Sequence, residues 1–475
     1  MKPLLKKTIL LFAFFSSTII IAGNTEGYDI KITIKNLKEG GKCFLADYYH
    51  GSQYKQDSAI SNNKGELFFK GTKKYNQGVY LIVTPDKKYF DFIMDAEQHF
   101  TIETDTSNYV KNMKVKGSEE NKSFFDYQNF MFDKQKQIEP LRDQYKTYKD
   151  NKDSAKAIQD RMNVIDKAVK DYKHNFIKNS PSTFVGKLLK LMEEPVIPDA
   201  PTLPNGKKDS TFAYKYYKAH YFDNFDFSDE RLLRTPIFDT KIKQYLEKTT
   251  VQHPDSIAVS AFYIIEKGRA NPEVFKYLIN WLVYLYESSN IMGMDAVFVQ
   301  LVEKYYVTNQ VTWIDSTQNY NVTNKAFRLK PILLGKQAVP IELPDSLGKY
   351  IPLYNIKSKY TVLVFWEPGC GHCKKEIPKL FELYKTKLKA RGVEVYAVNS
   401  ESKADEWKKF IIEHKLDWIN VHEPDDYKRA VAKSYYYIQT TPSLFLLDEN
   451  KIIRAKRIDA DKIEDVINFL EKQKK

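Results

Sequence analysis

The sequence predicts a multidomain protein: an N-terminal antiparallel β domain, an α-helical middle domain and a C-terminal α/β domain. Three observations carry this. Residues 27 to about 116 alternate apolar and polar with a period of two. At Ser118-Glu119-Glu120-Asn121 the period changes to a helical one. From about Leu334, runs rich in β-branched residues alternate with helical stretches, the pattern of an α/β sheet. A chain of 475 residues is too long for one small domain, and the expected segments are 27–117, 118–330 and 331–475.

Before them stands a leader, residues 1–23. Lys2, Lys6 and Lys7 precede the apolar run Thr8 to Ile21, and Ala22-Gly23 follow. A basic start, an apolar middle and small residues at the end are the pattern of a secretory signal peptide. The run is about 14 residues, short of the roughly 20 that span a bilayer, so cleavage is expected rather than an uncleaved anchor. No Cys follows it to carry a lipid. Export is therefore expected. The formal net charge of +13 is spread over lysines on many segments among 61 acids. No basic helix or basic–aromatic strand is clustered, which argues for a solvated surface and against a nucleic-acid partner.

Each segment has its own signals. Tyr28 to Ile34 alternates strictly, and Lys42–Tyr49, Gly65–Lys70, Gly78–Val83 and His99–Glu103 follow, separated by Asn-Lys-Gly, Asn-Gln-Gly and Pro-Asp-Lys turns. Short strands at this spacing predict a small antiparallel sandwich or barrel. Ser118 to about Asn179 reads as two long helices with a turn at Asn151-Lys152-Asp153, and Phe124, Tyr127, Phe130, Leu141 and Ile158 are available to pack. Ser180-Pro181-Ser182 precedes a helix from Phe184 to Met192, and a proline-rich loop follows it. Helical patterns resume to about residue 306, with Phe275 to Tyr284 the most apolar stretch. In the last segment, strands are expected at Tyr360–Trp366, Val393–Val398, Asp417–Val421, Ser443–Asp448 and Ile452–Ala455. Helices are expected at Cys370 to about Ala390, Ala404–His414, Asp425–Tyr435 and Asp461–Lys472, around a largely parallel sheet.

The chemistry sits in Cys370-Gly371-His372-Cys373, between the apolar run ending at Trp366 and Lys374-Lys375-Glu376-Ile377-Pro378. A strand, a Pro-Gly turn and a cysteine at a helix start place the first thiol where amides and the helix dipole favour a thiolate. Cys370 is then the attacking thiolate and Cys373, deeper in the helix, the resolving thiol of a redox disulfide. His372, when protonated, stabilises that thiolate and makes the couple more oxidising. Glu376 lies one turn after Cys373 on nearly the same face, so it is either a proton relay for Cys373 or an ordinary surface acid. The third cysteine, Cys43, reads as a buried small hydrophobe in a strand. A zinc site would need four ligands, and the remaining histidines are scattered, so no metal is expected. No other cofactor is implied.

Residues 335–475 resemble the thioredoxin fold, and within it the TlpA/ResA-like exported thiol–disulfide oxidoreductases. The resemblance rests on Trp366 four residues before the first Cys, Pro378 five after the second, and Thr441-Pro442 just before a strand, where the family has its cis-proline loop. It implies that Trp366, Thr441 and Pro442 help to bind the substrate, with the Thr441 backbone facing the cysteines. It also supports an acid at Glu376. Val364 stands where thioredoxin has a buried Asp, which leaves Glu376 more to do. The whole layout is similar to multidomain Bacteroidota proteins that join a DUF4369-type β domain and a DUF5106-type helical domain to a thioredoxin domain. The implied location is the periplasm or cell envelope, and the implied partners are protein thiols and disulfides of the envelope and a membrane or periplasmic redox partner. The direction of electron flow stays open: the TlpA/ResA branch implies a reductase, while His372 and the helix start argue for an oxidising couple. The alternative to an enzyme is a client-holding envelope protein with an accessory thioredoxin domain.

Overall fold

The computed structural model describes residues 27–401 and 403–473. The predicted leader lies outside them. Among the described residues, no helix is long and apolar enough to cross a membrane. The chain divides into two compact units. One holds the residues up to Lys190 with Arg234–Pro236, and the other Leu191–Leu233 and everything from Ile237 on.

In the first unit, strands β1 (Tyr28–Lys35), β2 (Lys42–Tyr49), β3 (Ser52–Ile60), β4 (Glu66–Gly71), β5 (Gly78–Val83), β6 (Tyr89–Met94), β7 (His99–Asp105) and β8 (Lys114–Lys116) form two four-stranded sheets. Their orders are β4-β1-β7-β8 and β3-β2-β5-β6. Ile30, Ile32 and Ile34 of β1 face inward with Leu67, Phe69, Phe100 and Ile102, and meet Leu45, Tyr80 and Phe92 of the other sheet. Cys43 is fully buried in this core, and burial pushes its thiol up to about 11. All strand pairs are antiparallel except β1 with β7, which is parallel. Period-two alternation is the same in both directions, so the sequence could not reveal this pair. Nor did it reveal β3, whose Ser-Gln-Tyr-Lys-Gln start is exposed on a sheet edge and has no apolar face to alternate.

Two long antiparallel helices, α1 (Glu119–Tyr148) and α2 (Lys152–Asn179), follow. Ser118 and Asn151 cap them, each side-chain oxygen accepting from the amide three residues on. The Tyr172 ring stacks on Phe130 at 3.9 Å. Asn121, fully buried at the start of α1, lies along the edge strand β6: its Oδ1 accepts from Ile93 N and its Nδ2 donates to Ile93 O, both at 2.7 Å. This satisfies an edge that would otherwise present unpaired backbone. Helix α3 (Phe184–Leu191) starts on the Glu120 carboxylate, which accepts from the Phe184 and Val185 amides.

The second unit holds α4 (Phe212–His220), α5 (Pro236–Lys248), α6 (Pro254–Gly268), α7 (Pro272–Glu287), α8 (Asp295–Tyr305) and α9 (Ser316–Leu329). Helices α6 to α9 pack on one another, Phe238 of α5 meets Tyr277 of α7, and Lys218 of α4 lies over the Tyr245 ring of α5. Helix α7 begins with a proline behind the Asn271 cap, which accepts from the Glu273 and Val274 amides. Helix α9 lies beyond the last helical pattern read from the sequence. It is held by an Asp315/Gln318 capping box and buries only Ala326 and Leu329, too thin a stripe to give a period.

The C-terminal part begins with the short pair β9 (Glu342–Pro344) and β10 (Tyr350–Pro352). Then come β11 (Tyr360–Trp366), α10 (Cys373–Leu383), β12 (Val393–Asn399), α11 (Ala404–Glu413), β13 (Ile419–His422), α12 (Asp426–Tyr435), β14 (Ser443–Asp448), β15 (Ile453–Lys456) and α13 (Ile463–Gln473). The sheet order is β13-β12-β11-β14-β15. The two pairs on the β13 side of β11 are parallel and the two on the β15 side antiparallel. The sheet is therefore mixed, not largely parallel, because a helix between two strands does not by itself fix their relative direction. Strand β11 is buried along its whole length, as a central strand covered on both faces must be. The helix expected from Cys370 to Ala390 is α-helical only from Cys373 to Leu383. It continues as a π turn to Leu388 and a 3₁₀ turn to Arg391, and Gly392 ends it at φ 76°. Pro378 lies inside α10.

Candidate functional site

Three strands point their carboxyl ends at one place. Glu367 follows β11, Ser400-Glu401 follow β12, and Glu423 follows β13. In an open α/β sheet this is where ligands bind. The turn after β11 carries Cys370, and Cys373 is the first residue of α10. Both are free thiols. The Cys370 amide donates to Glu367 O at 3.2 Å, which closes the turn and leaves Cys370 in front of the helix.

The two sulfurs have different surroundings. Cys370 is partly exposed. Its Sγ accepts from the Cys373 amide at 3.4 Å and donates to Thr441 O at 3.3 Å. Burial pushes its thiol up, but the amides of Cys373 and His372 and the side chains of Cys373 and Thr441 outweigh it, so the net direction is down. Cys373 is fully buried beside Ile377 and Trp366, and burial pushes its thiol up to about 12. Amides at a helix start stabilise a thiolate on one sulfur, and the core forbids it on the other.

Thr441-Pro442 is a cis peptide, and its loop brings Thr441 against Cys370. Thr441 and Pro442 are partly exposed, so a polypeptide can approach the cysteines along them. Trp366, expected on the substrate side, is instead at 0% exposure, its ring 4.9 Å from Phe410. It supports the turn from beneath and presents no face to a partner. His372 is exposed at the start of α10. What it brings to Cys370 is its backbone amide. Glu376 is partly buried one turn after Cys373, and its carboxylate accepts from Lys379 Nζ at 2.8 Å.

Two acids that sequence reasoning passed over stand at the turn itself. The Glu401 carboxylate lies against Gly369, where a Cβ would meet its oxygens at 3.2 and 3.3 Å. A side chain before Cys370 would therefore displace Glu401. Glu367 follows β11 and pairs with Lys433 at 3.6 Å. The signal that could have found both was their place at strand carboxyl ends, which needs the sheet order to read.

The AhpC/TSA family model matches residues 334–456. Two families described as domains of unknown function match earlier segments: DUF5106 over residues 153–326 and DUF4369 over 28–124. The thiol-disulfide oxidoreductase ResA of a Bacillus cereus strain is 30% identical over 139 residues, 29% of this chain and 78% of that protein. The ResA of Bacillus subtilis (strain 168) is 32% identical over 138 residues, 29% of this chain and 74% of that protein. A solved domain of a possible thiol-disulfide isomerase from Cytophaga hutchinsonii ATCC 33406 is 43% identical. It covers 30% of this chain and 95% of that chain, with a TM-score of 0.28. The client-holding alternative gives way to catalysis: the chain belongs, through its C-terminal thioredoxin-like domain, to the ResA family of thiol–disulfide oxidoreductases.

Proposed function

We propose that the Cys370–Cys373 pair is the redox centre of an exported enzyme that exchanges disulfides with protein cysteines. The observation that carries this is the contrast between a hydrogen-bonded, accessible Cys370 pushed toward thiolate and a buried Cys373 held as thiol. In the reducing direction, the Cys370 thiolate attacks a client disulfide, forms a mixed disulfide and releases one client thiolate. Cys373 then loses its proton and attacks Cys370 Sγ, which frees the second client thiolate. Two electrons pass to the client and the pair is left as a disulfide. The oxidising direction is the reverse.

Thr441 and Pro442 form the edge along which the client strand lies. Cys373 needs a proton acceptor, since its pKa of about 12 leaves it protonated at neutral pH. We assign that role to Glu376, one turn on and partly buried. Stabilising the Cys370 thiolate stabilises the reduced form. The couple is therefore expected to be less negative than thioredoxin's, about −270 mV. The leader pattern and the resemblance to exported thioredoxin-like proteins support the periplasm or cell envelope as the working location.

The test is insulin reduction by the full chain against Cys370→Ser, with Cys373→Ala used to trap mixed disulfides from envelope extracts. Loss of turnover in the first variant and clients held on Cys370 in the second are expected. Equal turnover by native chain and Cys370→Ser would sink the assignment. A potential at or below thioredoxin's would reverse the expected direction without touching the site.

A further inference from the structure

The helical part of the second unit contains a groove of about 780 Å³, walled by α4, α5 and α6. Tyr214, Tyr245, Tyr263, Val259 and Ala219 give it a mainly apolar surface. This size is that of a small-molecule or peptide-end site. Tyr214, Tyr263 and Val259 are open to solvent at 46%, 39% and 66%. Exposed aromatic and aliphatic surface gathered at a concavity is a mark of recognition, unlike the same residues scattered singly.

Three charged residues line this surface, Lys215, Lys218 and Asp255, and of these only Lys218 is half-buried. The Lys218 ammonium lies 3.3 Å from Thr250 Oγ1 and 3.4 Å from Ser260 Oγ, and 5.5 Å from the centre of the Tyr245 ring. Both contacts are long, and the two hydroxyls already bond each other at 3.0 Å. An ammonium has three donors, so these neutral partners leave it under-satisfied. Two other buried or half-buried lysines of these helices do have a carboxylate: Lys241 meets Glu194 at 2.7 Å and Lys325 meets Glu287 at 2.8 Å. Among the described residues no carboxylate comes within 4 Å of Lys218. The one acid lining the groove, Asp255, is engaged by Gln300 at 3.1 Å and by His253 at 3.8 Å. Burial also holds the Lys218 amine below its usual range, as expected of a cation drawn from water without a counter-charge.

We propose that this groove is a binding site for a carboxylate carried on an apolar or aromatic body, with Lys218 pairing the carboxylate and the tyrosines holding the body. The redox centre plays no part in it. The ion pair supplies preference for the acid over its neutral analogue, because the analogue leaves the desolvated ammonium unpaired.

The test is calorimetric titration of the full chain with N-acetyl-L-tryptophan and, separately, N-acetyl-L-tryptophanamide. Decanoate and decanamide form a second arm that distinguishes a peptide-like end from an acyl chain. The native chain is expected to bind one acid at least tenfold more tightly than its amide. Lys218→Met should bring the ratio near one and Lys218→Arg should keep it. Val259→Trp, a substitution at the open rim, should block acid and amide alike. Insulin reduction at the native rate by each variant shows that it is folded. Equal affinity of the native chain for acid and amide in both arms overturns the proposal. So does no saturable binding of any of the four, or an unchanged ratio in Lys218→Met.

Discussion

The two cysteines differ by where the chain puts them within a single turn. Cys370 precedes the helix and collects hydrogen bonds from the Cys373 and His372 amides, whereas Cys373 is already in the core. The consequence is visible in the pH dependence of the couple. Above the Cys370 pKa and up to about 12, where Cys373 titrates, one proton accompanies two electrons. The potential should fall by about 30 mV per pH unit there, and by about 60 mV below the Cys370 pKa. A slope near 60 mV through pH 10 in a direct equilibration series would contradict the assignment. His372 gives a second check, because it acts on Cys370 through its amide. His372→Gln keeps that amide and should move the potential by less than about 30 mV, the equivalent of about 1.4 kcal/mol. A larger move would return the role to the imidazole. Glu376→Gln should leave Cys370 alkylation unchanged and slow resolution of the mixed disulfide by about 10²-fold or more, read by stopped-flow. Equal resolution rates would make Glu376 a surface acid held by Lys379.

At the scale of elements, the motif was legible because its chemistry is local: strand, turn, two cysteines and helix fall within about 20 residues. What was illegible depends on partners far along the chain. Trp366 has the expected spacing, but only the packing of α11 over β11, through Phe410, shows that it is covered. Glu401 becomes a neighbour of the Cys370 turn because β12 lies beside β11. The parallel β1–β7 pair and the mixed C-terminal sheet were missed for one reason: hydrophobic period reports faces, not directions. Two contacts between elements carry stability. Asn121→Ala strips both backbone partners from Ile93 in β6 and should cost about 2–4 kcal/mol in urea unfolding. Lys456 on β15, at 4% exposure, donates to Asp295 of α8 and to Ile332 O. Asp295→Ala leaves that ammonium buried without its counter-charge and should cost about 3–5 kcal/mol. The double change Asp295→Ala/Lys456→Met should recover most of it. A loss below 1 kcal/mol in the single variant would mean that water reaches Lys456 freely.

Across the whole molecule, the segments read from the sequence follow its changes of period, whereas the compact units follow packing. Helices α1 and α2 read as part of a helical domain, yet they group with the β-sandwich, to which Phe125 and Asn121 attach them. The remaining helices group with the thioredoxin-like sheet. Each unit has a core of its own, so a defect such as Asn121→Ala is expected to leave thiol chemistry untouched. The measurement that bears most directly on the redox centre is alkylation of the reduced full chain by iodoacetamide across pH 5 to 10, with the modified residue identified by mass spectrometry. The expected result is one adduct, on Cys370, whose rate levels off below pH 9, while Cys373 stays unmodified in the folded chain. Modification of Cys373 first, or of both thiols together with the pH profile of a free thiol, would contradict it.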